Sequence, residues 1–182
     1  MGKITAHEFI SLDGVFEDPS FTFDFDFDPR MGDAIAEIMG ASKAILLGRQ
    51  TFEMFAPAWS ARTAADDPGA PFMNDTPKYV VTASGTKVEW SNSEVIGAYN
   101  PDTIRNLRDR VDANIYISGS GTLVRAMLAD GLVDELHLFV FPVVVGSGRR
   151  LFDEGRPKTR FALERLDKYE NGVVYAVYEV AR

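Results

Sequence analysis

Two short stretches hold residues able to grip an anion. In AILLGRQTFE (44–53) an apolar run ends at Gly48 and Arg49, with Thr51 two residues further on. In IYISGSGTLVRAML (115–128) a second apolar run is followed by Gly119, Ser120, Gly121 and Thr122. Both read as a buried strand turning into the start of a helix. A helix start presents free N–H groups and a partial positive charge, which attract phosphate. Arg49 adds planar donors suited to the same group, and small residues let a backbone come close to a diphosphate. Each stretch alone is equally a structural turn. The dinucleotide fingerprint is incomplete, because Val124 stands at the place of its third glycine, and no lysine follows at Walker spacing. Two such turns in one parallel sheet reinforce each other, since ligands of these sheets bind at the carboxyl ends of strands.

Other chemistry-bearing residues are isolated. Asp13 sits in an Asp-Gly pair, either a plain turn or a loop carboxylate near a site. His7 and His137 lie singly in apolar strands, where structural roles are commoner. Arg149 and Arg150 read as an exposed pair or as an anion contact. FTFDFDFDP (21–29) alternates phenylalanine with polar residues. A calcium loop beginning at Asp24 fails, with Pro29 at the required glycine and Ile35 at the required glutamate. A half-buried strand edge and an aromatic pocket wall remain. As a wall, Phe23, Phe25 and Phe27 would face a flat substrate.

These residues need elements to position them. KITAHEFISL (3–12), AILL (44–47), KYVVT (78–82), NIYIS (114–118) and DELHLFVFPVVV (134–145) read as strands. Helices are predicted over roughly 30–41, 49–56, 101–110 and 120–130, the third with Asn100 as cap and Pro101 at its first position. Residues 57–77, with four prolines, read as a surface loop. FALERLDKYENGVVYAVYEV (161–180) reads as a hairpin turning near Asn171-Gly172. The order predicts an α/β fold, a three-layer α/β/α sandwich around a central, mixed but mostly parallel sheet with an antiparallel C-terminal hairpin. One domain is expected over residues 1–182.

Composition narrows the function. The formal charge of −8 disfavours nonspecific nucleic-acid binding. Without cysteine there is no disulfide, thiolate metal site or thiol nucleophile, and no metal-ligand pattern is present. No apolar run is long enough to span a bilayer, and the first residues lack a signal-peptide core. A cytoplasmic protein without membrane partners is expected.

ISLDGVFEDP (10–19), LLGRQTFE (46–53), KYVVTAS (78–84), YISGSGTLVRAML (116–128) and DELHLFVFPVVVGSGRRLF (134–152) occur in an order that resembles the dihydrofolate-reductase-like family. The resemblance is to the branch containing the reductase domain of the bifunctional riboflavin-biosynthesis deaminase-reductase, and it spans nearly the whole chain. It implies an NADPH-dependent reductase acting on a small, pyrimidine- or pterin-like heterocycle. Under it, Gly48, Arg49 and Thr51 would hold the adenosine-side phosphates. Thr82, Ala83 and Ser84 would line the adenosine end, and Gly119, Ser120, Gly121 and Thr122 would cradle the diphosphate. The loop from Ser11 to Asp18 would close near the nicotinamide, making Asp13 a candidate proton source. Asp33 stands near the helix position of the pterin-binding carboxylate of folate enzymes, but the stretch from it to Gly48 is one residue shorter than in a common folate pattern. The deaminase's zinc-binding histidine and cysteines are missing. A homodimer is expected from the resemblance and from apolar residues on both faces of the long strand, with Tyr169, Tyr175 and Tyr178 nearby. The rival reading is a module that binds NADPH without turnover and acts as a sensor or interaction protein.

Overall fold

Runs rich in Ile, Leu, Val and Phe form the strands of the computed structural model, which describes residues 2–83, 85, 87–152 and 158–180. They are β1 (Ile4–Ser11), β2 (Ser42–Gly48), β3 (Lys78–Val81), β4 (Ser93–Gly97), β5 (Asn114–Ser118), β6 (Glu135–Phe141), β7 (Phe161–Lys168) and β8 (Val174–Val180). The sheet order is β4-β3-β2-β5-β1-β6-β8-β7. The strands from β4 to β6 in that order pair in parallel. β8 runs antiparallel to β6, and β7 antiparallel to β8.

The helices are α1 (Pro29–Gly40), α2 (Arg49–Trp59), α3 (Ala70–Asp75), α4 (Pro101–Val111) and α5 (Gly121–Ala129). Ile38, Met39, Phe52 and Met73, from α1 to α3, pack on Ile45, Leu47, Val80 and Tyr116 of one sheet face. Ile104, Leu107, Val124 and Met127, from α4 and α5, pack on Ile4, Ala6, Leu46 and Ile117 of the other. Leu46 thus points opposite to Ile45 and Leu47, the mark of a strand buried on both faces. The three layers and the mostly parallel sheet are those expected from the sequence. Asn100 caps α4 as anticipated, its Oδ1 accepting from Asp102 N (2.8 Å) and Thr103 N (3.3 Å).

Several elements differ from the sequence reading. β4 is an edge strand held by backbone pairing to β3 and half exposed, so its pattern carries little alternation. α3 lies inside the proline-rich 57–77 stretch. Its last turn is closed by buried Lys78, whose Nζ donates to the carbonyls of Met73 (2.9 Å), Asn74 (3.1 Å) and Thr76 (2.9 Å). α2 continues past Pro57 to Trp59. β6 stops at Phe141, because Pro142 offers no N–H.

FTFDFDFDP is not an extended wall. Pro19–Asp24 is a 3-10 turn, tied by Thr22 Oγ1 to the Pro19 carbonyl (2.8 Å). Phe21 and Phe25 both meet the ring of Phe141, at 5.6 and 5.4 Å. Phe23 and Phe27 point outward, 88% and 68% exposed. Asp28 caps α1 and receives Arg30 and the Glu170 N–H (3.0 Å), fastening the helix start to the C-terminal hairpin. The period-two pattern misleads because the chain is not extended here, and the 3-10 turn sends Phe23 away from the side taken by Phe21 and Phe25.

Candidate functional site

The carboxyl ends of β3, β2, β5 and β1 lie side by side, and the chain leaves two of them through the glycine turns. Gly48 precedes α2 in extended conformation. Gly119 and Ser120 precede α5, both left-handed, with φ of 62° and 62°. A left-handed serine costs roughly 1–2 kcal/mol. That conformation accompanies a direct link between the turns, in which Ser120 Oγ accepts from Gly48 N at 2.9 Å. Gly119 N donates to the His7 carbonyl (3.1 Å), tying the second turn to β1. Gly121 is required by a close approach, since a Cβ there would stand 2.3 Å from the Phe16 ring. The two helix starts therefore border one space.

That space is a cavity of about 730 Å³, within the range of small-molecule and cofactor sites. Gly48, Arg49, Thr51, Thr82, Ala83, Gly119, Ser120, Gly121 and Thr122 all line it. Ser84 lies outside the described residues. Thr51 and Thr82 are buried, whereas Arg49 is half exposed and sits 3.4 Å from Glu53. On the far side Arg149 spans the mouth, with Nε on Glu17 (2.6 Å), one terminal nitrogen on Thr122 Oγ1 (3.3 Å) and the other on Gln50 Oε1 (3.2 Å). The backbone N–H and guanidinium of Arg149 hold Glu17 below the usual carboxylate range. Of the arginine pair, Arg149 is thus at the site.

The expected catalytic and substrate residues stand elsewhere. Asp13 does not line the cavity. Its carboxylate accepts from Ser11 Oγ (2.6 Å), Val145 N (3.1 Å), Gly146 N (2.9 Å) and Arg150 (3.3 Å). Those bonds, the Ser11 hydroxyl first, push its pKa well down, so it has no proton to give at neutral pH and works as a loop brace. Phe23, Phe25, Phe27 and Asp33 do not line the cavity either. Phe25 is core packing, and Asp33 is on the exposed side of α1.

On the cavity's β1 wall, sequence reasoning weighed His7 and expected the loop to Asp18 near the site, but it missed Glu8 and Phe9. Here stand His7, Glu8 and Phe9, with Phe16 to Pro19 from the following loop. His7 Nδ1 meets the Tyr116 hydroxyl at 3.0 Å, and burial lowers its pKa to about 3, leaving the ring neutral. Glu8 is 3% exposed, and burial pushes its pKa up to about 8. The legible signal was an acid in phase with Ala6 and Ile10, at a core position of a strand.

A family model described as the RibD C-terminal domain matches residues 2–175. The chain belongs to that family. It is therefore related to a reductase-type domain of riboflavin biosynthesis. A Bacillus subtilis (strain 168) relative, the uncharacterized protein YyaP, is 24% identical over 175 residues, covering 93% of this chain and 90% of its own. Among solved structures, a putative riboflavin biosynthesis protein from Shewanella sp. PV-4 superposes with a TM-score of 0.81 at 19% identity, over 99% of both chains. A pyrimidine reductase-like protein from Corynebacterium diphtheriae gives a TM-score of 0.69 at 19% identity, covering all of this chain and 92% of its own. At these identities the structural neighbours speak for the shared fold. Among the described residues no helix is long and apolar enough to cross a membrane.

Proposed function

We propose that the chain is an NADPH-dependent reductase of a small conjugated heterocycle of the pyrimidine type. The observation that carries the reading is the convergence of two helix N-termini, linked by Gly48 N and Ser120 Oγ, on one cavity with a second wall of its own. The residues fit a dinucleotide. Free N–H groups at the starts of α2 and α5 suit a diphosphate, Arg49 and Arg149 bring positive charge to its rim, and Thr82, Ala83 and Tyr99 shape one end of the cavity. NADPH bound there supplies a hydride. The protein orients the ring, excludes water and shields the reacting face, tasks that fall to Phe9 and Phe16 beside Glu8. No covalent side-chain chemistry is called for. The structural neighbours' names, a riboflavin biosynthesis protein and a pyrimidine reductase-like protein, point to the same substrate class.

NADPH titration followed by NADPH consumption over a panel of pyrimidines, pterins and quinones tests the reading. Saturable binding with turnover on a pyrimidine supports it. Binding without turnover on any member favours the sensor module, and absence of binding overturns the cofactor assignment.

A further inference from the structure

Glu8 is the odd residue of the cavity. Its neighbours on the same face of β1, Ala6 and Ile10, belong to the core, yet Glu8 lines the cavity and its Oε1 has no hydrogen-bond partner. An unpaired buried carboxylate is costly, so the group keeps its proton at neutral pH, with its pKa raised to about 8. Tyr116 from β5, whose phenol is pushed up to about 12, and His137 from β6, lowered by burial, lie across the sheet on the face of His7. α5 contributes Arg125, which lies over the Phe16 ring (5.9 Å). The flanking loops contribute Glu17, Asp18 and Arg149, of which Glu17 and Arg149 satisfy each other.

Position says what Glu8 meets. Across the sheet the strand ends run β3, β2, β5, β1, which places Thr82, Gly48, Gly119 and Glu8 in that order along the cavity floor. Three strand spacings put Thr82 and Glu8 on the order of 14 Å apart, the scale of an extended dinucleotide. With its diphosphate at the two central turns, one base lies over β3 and the other over β1. A neutral carboxyl group presents a donor and an acceptor side by side, and a primary carboxamide presents the complementary pair.

We propose that Glu8, as a neutral acid, receives the carboxamide of the cofactor's nicotinamide ring and fixes which end of the dinucleotide faces β1. This rests on the NADPH reading above. Ionisation of Glu8 removes the donor and sets a carboxylate against the carboxamide oxygen, so the protein binds the nicotinamide end only while Glu8 is protonated.

The test measures the full chain's affinity for NADPH and for 2′-phospho-ADP-ribose, which lacks the nicotinamide, between pH 6 and 9. The ratio of the two removes the titration of the shared 2′-phosphate. In the wild type the ratio should fall about tenfold between pH 7 and 9, as the competent fraction drops. Glu8→Gln keeps a donor and an acceptor without charge, so its ratio should stay level. Glu8→Ala should weaken NADPH below pH 8, where the wild type holds its proton, and leave the fragment unaffected. A level wild-type ratio, or the same fall in Glu8→Gln, overturns the proposal while leaving NADPH binding intact. Failure of the wild type to bind either molecule overturns the cofactor reading itself, and this inference with it.

Discussion

Replacing Glu8 by glutamine should change how stability depends on pH, with no ligand present. Glu8 titrates near 8 in the folded chain against 4.5 as a free side chain. Between those values the folded state holds a proton that the unfolded state has released, so stability falls as pH rises through this window and levels off above it. At 1.36 kcal/mol per unit, the whole window amounts to on the order of 5 kcal/mol. Other groups act in parts of it. His7, lowered to about 3, adds stability mainly below pH 6.5. Lys78, lowered to about 8, adds stability mainly above 8. Between pH 6.5 and 8 each still adds roughly 0.4 kcal/mol, whereas Glu8 takes away about 1.5–2 kcal/mol, which is the loss of the wild type relative to Glu8→Gln. For a chain of this length that is about 3–8 °C in Tm. Urea denaturation or thermal melts at pH 6.5, 7.2 and 8.0 should show the wild type falling by this much relative to Glu8→Gln, whose own profile rises slightly. Any fixed cost of the amide shifts every point equally. Parallel profiles for the two proteins would refute the assignment of Glu8 as the buried, proton-holding acid.

Gly121→Ala should destabilise the fold by about 1–3 kcal/mol in denaturant titration, since its Cβ collides with the Phe16 ring unless that loop moves. Lys78→Met should cost at least about 2 kcal/mol, because the end of α3 loses the donor shared by three carbonyls; an unchanged melting curve would contradict this. Arg49→Ala should weaken NADPH by roughly 1.5 kcal/mol and NADH less, if a charge-assisted contact reads the 2′-phosphate. Equal losses in titration would remove Arg49 from that role. Phe23→Ala, at an 88% exposed site outside the cavity, should leave stability within about 0.5 kcal/mol and substrate KM unchanged. If the expected homodimer pairs through its sheet edge, Leu163 and Leu166, exposed on the edge strand β7, should carry the contact. Light scattering of a Leu163→Lys, Leu166→Lys chain should then report a monomer where the wild type gives twice the mass.

All of the sheet except its edge strand β4, and both glycine turns, were legible in the sequence. Apolar runs of strand length ending in glycine, as at Leu46-Leu47-Gly48 and Ile117-Ser118-Gly119, carry their own local signal of burial followed by a helix start. Such signals lie within a few residues of each other, so seven of the cofactor candidates could be named without knowing how strands pair, while Thr82 and Ala83 came from the family resemblance. What the site does beyond those turns was decided by tertiary structure. Glu8 acquires its raised pKa from β5, β6 and α5 closing around it, and a lone acid in a strand says nothing about who its neighbours will be. Arg149 reaches the cavity only because the loop after β6 folds back onto Glu17, 132 residues away in the chain. Asp13 was misplaced for the converse reason. The loop after β6 folds against its own loop and supplies donors at Val145, Gly146 and Arg150, which hold its carboxylate away from the cavity. The phenylalanines of 21–27 follow the same logic. Alternation along a chain predicts faces only if the chain is extended, and the 3-10 turn lets Phe21 and Phe25 meet Phe141, from a distant strand, while Phe23 points outward.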